Sequence, residues 1–311
     1  MSDEDAIILG KGLDYPFKIK RLVGQSGMSY GALGSHAITA LSMGLGQAGT
    51  WMNTGEGGLS KYHLKGGADI IFQIGPGLSG VRDKEGEFDL KEFLKLANRD
   101  RIKAFEIKLA QGAKTRGGHM QGNKVTEEIA EIRNVEPWKT INSPNRFNSI
   151  GNPKDLLNWV MFLQHQGQKP VGFKIVDSKV PEIEKLINAM IETNQYPDFI
   201  TIDGGEGGTG ATFQELQDGV GLPLFTALPI VTALLEKYDI RHQMKIFASG
   251  KLITPDKIAI ALGLGADLVN IAAAVGVKSP TQISKDHIII KKKDGRVQSI
   301  NDYKLKLINY K

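Results

Sequence analysis

Short apolar runs rich in β-branched residues alternate with helical patterns along most of the chain. The candidate strands are Arg21–Gln25, Thr50–Asn53, Asp69–Ile74, Ala104–Leu109, Val171–Val176, Asp198–Asp203, Lys245–Ala248 and Asp267–Ile271. Several of them (DIIFQI, VGFKIV, DFITI, ADLVNI) are apolar on successive residues rather than on alternate ones. Strands buried on both faces carry that pattern, as in parallel sheets covered by helices. Between the strands, Pro153–Gln166 sets Leu156, Leu157, Val160 and Leu163 on one helical face. Asn152 suits its cap, Pro153 its first turn, and Gly167 its stop. A second helix follows Thr254-Pro255-Asp256 through Ile258, Ala259, Ile260 and Leu262. Strands alternating with helices in this way predict an α/β fold, a (β/α)8 TIM barrel, with a doubly wound open sheet as the alternative of the same periodicity.

The pattern changes after Ala272. Ser279-Pro280 can open a short helix. His287–Ile290 and Arg296–Ile300 flank Asp294-Gly295, the signature of a two-residue primed hairpin turn. The expected division is a barrel over residues 1–272 and a C-terminal helix/hairpin extension over 273–311. The extension would pack on its own barrel or on another subunit, which allows a homo-oligomer.

Composition narrows the chemistry. A length of 311 residues suits one barrel of the usual ~200–400. The net charge of +5, from 39 Lys and Arg against 34 Asp and Glu, is spread along the chain and gives no reason to expect a nucleic-acid partner. The absence of cysteine excludes disulfides, cysteine nucleophiles, thiolate metal sites and cysteine-held iron–sulfur clusters in this chain. The six histidines are scattered with no zinc-ligand spacing, so no metal is expected. No apolar run reaches membrane length, and the opening MSDEDAIILG is acidic where a signal peptide is basic, so the expectation is a cytoplasmic protein.

Glycine is the departure from the average: 37 residues, about 12% against a usual ~7%. The glycines cluster just after strands, at Gly27–Gly31, Gly55–Gly58, Gly75–Gly77, Gly112–Gly118, Gly204–Gly210 and Gly250. In a barrel all these turns share the carboxyl rim, where active sites lie. Ser249-Gly250-Lys251 offers N–H groups, a hydroxyl and a cation after the seventh strand, the usual place for a phosphate. Asn53, Gln111, Lys174 and Asp203 suit a flat heteroaromatic ligand. Lys174 interrupts an apolar strand, where an ammonium is costly without a partner. It pairs either with a neighbouring carboxylate or with an electron-rich cofactor edge or phosphate. An enzyme acting on a phosphorylated metabolite without flavin is an alternative at this point.

The motifs MSYGALG, NTGEGG, KLAQGAK, GNKVTEEIAEIR, VGFKI, DFITIDGGEGGTGA, IFASGK and GADLVNIA resemble, in this order, the FMN-binding domain of glutamate synthase and its stand-alone relatives, from about Gly10 to Ala272. The resemblance implies FMN across the carboxyl ends of the strands, with contacts near Met28, Ser29, Gln111, Lys174, Asp203, Gly204, Gly205, Ser249, Gly250 and Lys251. It implies hydride transfer from reduced flavin to an imine or another 2-oxo acid-derived substrate, with Glu56 and Lys114 beside that substrate. Three departures stand out. There is no cysteine for a glutaminase nucleophile or an iron–sulfur cluster, which implies a separate glutaminase subunit and a separate electron-donor protein. A substrate-binding arginine of the motif after the third strand aligns with Leu78. The Arg-Gly expected after the eighth strand is replaced by Ala273-Ala274, as if an internal segment were missing between about Ile271 and Ala273. The alternative function is therefore a non-catalytic flavin-binding or apo pseudoenzyme that serves as a scaffold.

Overall fold

The computed structural model describes residues 3–112, 118–177, 179–208 and 221–271, together with the paired strands Ile289–Lys291 and Val297–Ser299. Eight parallel strands close into a barrel: β1 (Val23–Gln25), β2 (Trp51–Asn53), β3 (Asp69–Ile74), β4 (Ile102–Lys108), β5 (Val171–Ile175), β6 (Phe199–Asp203), β7 (Lys245–Ser249) and β8 (Leu268–Ile271). The register Val269↔Val23 joins β8 back to β1, which excludes the open sheet.

Helices fill the connections: α1 (Tyr30–Ala48), α2 (Lys61–Leu64), α3 (Leu90–Ala97), α4 (Glu127–Arg133), α5 (Pro153–Gly167), α6 (Val180–Thr193), α7 (Leu224–Lys237) and α8 (Pro255–Gly263). In α5, Asn152 accepts from Asp155 N at 3.1 Å and the Asp155 carboxylate accepts back from Asn152 N, a capping box. Its end differs from expectation. Gly167 is still helical, and the left-handed cap is Gln168 at φ +50°. Gly167 is small for a packing reason, since a Cβ there would sit 3.0 Å from the Phe93 ring. Among the described residues no helix is long and apolar enough to cross a membrane.

Outward strand residues such as Ile70, Phe72, Ile107, Phe173 and Ile202 join the helices in the main core. Inward residues form two layers. The layer at the amino end is apolar: Trp51, Ile71, Ala104, Phe199, Phe247 and Leu268. An N-terminal hairpin absent from the sequence-based strand set, Ile7–Leu9 with Phe17–Ile19, plugs this end with Leu9, Phe17 and Ile19. The next layer is polar and equally buried, with Asn53, Gln73, Glu106 and Lys108 from β2 to β4. Lys174, Thr201, Asp203, Ser249 and Asn270 complete it from β5 to β8. The tail strands pair antiparallel, as a hairpin requires, but the register Lys291↔Val297 puts an odd number of residues, five, between them and so does not match a two-residue turn; Asp294-Gly295 itself lies outside the described residues. The helix expected at Ser279-Pro280 and the altered Ala273-Ala274 lie outside the described residues.

Candidate active site

The polar layer is the floor of a cavity of about 290 Å³ at the carboxyl end of the strands. Its rim is built from the glycine-rich loops. After β1 the chain runs through Ser26–Ser29, and Met28 N donates to Asn53 O at 3.1 Å. Gly55, after β2, is left-handed at φ +67°, and a Cβ there would meet Ser29 N at 2.8 Å. The two loops therefore touch backbone to backbone. His63 on α2 fixes them from behind. Ser60 N donates to its Nδ1 at 3.1 Å, so the ring proton sits on Nε2 and is donated to Met28 O at 3.0 Å. Burial pushes the His63 pKa below its ordinary 6.5, which favours this neutral form.

On the opposite side, Lys108 on β4 donates to Gln111 Oε1 at 2.7 Å and lies 3.2 Å from Glu56 Oε1. Gln111 Nε2 donates to Gly208 O at 2.6 Å, tying the loops after β4 and β6. Lys174 is 4% exposed and its nearest carboxylate among the described residues, Asp203, is 4.0 Å away. Asp203 also accepts Gly112 N at 3.1 Å. After β7, Gly250 (φ +138°) and Lys251 (φ +45°) form a tight turn against the Gly204 backbone.

Met28, Ser29, Glu56, Gln111, Lys174, Asp203, Ser249, Gly250 and Lys251 thus line one cavity. Gly204 and Gly205 do not line it. Their N–H groups donate to Ser249 O at 2.9 Å and Leu222 O at 2.8 Å, and Gly204 leaves room for the Glu206 carboxylate. Lys114 lies outside the described residues.

Sequence reasoning missed Ser26, Gln73, Lys108 and Asn270, all of which line the cavity. Gln73, Lys108 and Asn270 break apolar strands as Lys174 does, so the same signal could have found them. It also missed Arg133. A basic residue in the last turn of a helix is ordinary and gives no signal. Arg133 is 8% exposed and borders a side chamber with Ser29, Glu56, His119 and Ser143. Its Nη2 reaches Ser29 Oγ at 3.5 Å. Burial lowers its pKa while the Glu56 carboxylate pulls it back up. Among the described residues, the guanidinium bordering this side chamber therefore comes from α4, not from the loop after β3 where Leu78 stands.

Residues 2–279 match the family described as the conserved region in glutamate synthase. The chain is 50% identical to the glutamate synthase large subunit-like protein YerD of Bacillus subtilis, covering 96% of this chain and 69% of that protein. That match runs over 360 positions, 49 more than the 311 residues here. At least that many positions of the relative thus face no residue of this chain. The chain is 34% identical to the archaeal-type glutamate synthase (NADPH) of Thermotoga neapolitana, covering 79% of this chain and 46% of that protein. It therefore spans about half the length of that enzyme. Among solved structures, a mandelate oxidase variant with a monooxide FMN adduct matches at TM-score 0.52 and 12% identity, over 86% of this chain and 68% of the other. A flavocytochrome b2 variant with benzoylformate matches at TM-score 0.51 and 12% identity, over 86% of this chain and 64% of the other. These two share the fold.

Proposed function

The chain belongs to the glutamate synthase family, and from that premise we propose that it is an FMN-dependent oxidoreductase that reduces an imine derived from a 2-oxo acid. The observation that carries this reading is Lys174. Its ammonium is buried at the cavity floor, with no carboxylate closer than 4.0 Å among the described residues. Such a weakly compensated charge fits an anionic or electron-rich ligand. The residues present fit FMN in other respects too. The floor supplies hydrogen-bonding groups, and the Ser249-Gly250-Lys251 turn suits its phosphate. Met28, Ser29 and Gln111 would border the ring, and Asp203 would hold Lys174 and the Gly112 loop in place.

Reduced flavin supplies a hydride. The chain's own residues would do the rest. Arg133 would clamp a substrate carboxylate through two parallel N–H donors. Glu56, paired with Lys108, would face the imine nitrogen, which takes one proton as the carbon takes the hydride. Lys114 would serve as a further carboxylate partner. Ala32 and Leu33, at the start of α1, border the cavity and would exclude water. Electrons and ammonia would come from outside these residues, from an electron donor and a glutaminase, because they hold no cysteine for an iron–sulfur cluster or a glutaminase nucleophile.

The visible spectrum of the purified protein, before and after adding FMN, tests the cofactor. Flavin bands that persist through gel filtration are expected. A protein that stays colourless with added FMN would overturn the proposal. The 49-position difference from YerD favours a second reading, a flavin-binding protein without turnover. Reoxidation of bound reduced flavin by 2-oxo acid plus ammonia, without oxygen, separates the two.

A further inference from the structure

Glu106 lies at the centre of the polar layer, 1% exposed, and does not itself line the cavity. Its Oε1 accepts from Asn53 Nδ2 at 2.9 Å and from Gln73 Nε2 at 2.6 Å, and its Oε2 accepts from the Thr201 hydroxyl. Carboxylate oxygens only accept, so both amides must turn their NH2 groups toward Glu106. Asn53 then uses its oxygen to accept Gly55 N at 2.9 Å. Gln73 has no such use for its oxygen. Its Oε1 takes no hydrogen bond from the described residues, although the residue is 1% exposed and lines the cavity. This oxygen opens on the cavity, and an acceptor covered by a ligand without a donor is costly, so it calls for a donor on that ligand.

Asn270, across the floor on β8, is set the opposite way. The Trp51 indole N–H can only donate, and Asn270 Oδ1 accepts it at 3.0 Å. That leaves the Asn270 NH2 as the group facing the cavity. The floor thus presents an acceptor on β3 and a donor on β8. An imide edge, with an N–H between two carbonyls, complements that pattern.

We propose that Glu106 is a positioning residue that locks the Gln73 carboxamide with its oxygen toward the cavity, where it accepts the imide N–H of a flavin ring. The inference rests on the flavin reading and assigns the part of the ring that the β3 side reads.

The test is titration of the apo-protein with FMN and with N3-methyl FMN, which lacks that N–H. Wild type should prefer FMN by about tenfold or more, because the methylated ring leaves Gln73 Oε1 unpaired. Glu106→Leu should collapse the preference by freeing the carboxamide to rotate. Glu106→Gln should keep it, since one oxygen still accepts both amides while the Thr201 hydroxyl becomes the acceptor. Gln73→Met should abolish it. A loss of general structure weakens both ligands alike and leaves their ratio unchanged. Equal binding of the two flavins by wild type, or an undiminished preference in Glu106→Leu or Gln73→Met, overturns the proposal. If Glu106→Leu does not fold, the wild-type and Gln73→Met ratios still decide. Binding of neither flavin would instead defeat the cofactor reading itself.

Discussion

Lys174 carries an ammonium into the barrel interior with one carboxylate at the edge of ion-pair distance. Removing it relieves a desolvation cost but leaves the buried Asp203 carboxylate without this cation. The two effects oppose, so Lys174→Met should change the melting temperature of the apo-protein little, while flavin affinity falls by about tenfold or more, the scale of one charged hydrogen bond. Thermal melts and flavin titration check both halves; equal flavin affinity would show that the charge serves no ligand. Arg133 should behave differently, because it borders the side chamber rather than the main floor. Arg133→Met should retain flavin but weaken by about tenfold or more the response of the flavin spectrum to added 2-oxo acid. The contrast between the two residues also shows what a sequence reveals. Lys174 stands out because a cation inside VGFKIV breaks an apolar run. Arg133 does not, because the helix that carries it looks like any amphipathic helix with a basic last turn. Only the folded chain brings it beside Glu56 and Ser29.

Single elements were read well where one local rule dominates. The strands are apolar on successive residues because helices cover one face and the barrel interior the other. The start of α5 follows from its capping box, but its stop was misplaced by one residue, because Gly167 answers to the Phe93 ring rather than to a turn. The loop after β1 depends on α2 in a way that is sensitive to pH. Burial depresses the His63 pKa from 6.5, so the unfolded chain binds this proton more readily than the folded one. Stability then rises with pH across that range. The contribution is complete above about 6.5 and is lost as pH falls through that value toward the depressed one. Thermal melts from pH 7.5 to 5 should show a steeper fall in wild type than in His63→Gln. Identical slopes would mean that His63 is not the group responsible.

At the scale of the whole molecule, the barrel is closed by side chains that are distant in sequence. Leu9, Phe17 and Ile19 seal the amino end against Trp51, Phe199 and Phe247. Truncating a fully buried phenylalanine removes transfer energy and leaves a cavity, so Phe17→Ala should cost about 3–5 kcal/mol. Gly24 is tied to the same layer. A Cβ there would stand 2.1 Å from the Trp51 ring, so Gly24→Ala should cost about 1–3 kcal/mol or more through overpacking. Denaturant unfolding measures both, and a neutral Phe17→Ala would mean that the hairpin does not plug the barrel.

The strand periodicity, the glycine clusters and the cations buried in apolar runs are local properties, so the sequence by itself determined the strand–helix alternation and most of the rim that lines the cavity. Closure of β8 onto β1, the N-terminal plug, the approach of Arg133 and the orientation of Gln73 by Glu106 were decided by tertiary structure. Each depends on pairs far apart in the chain. Hydrophobic periodicity reports which face of an element is buried, not which distant residue it is buried against.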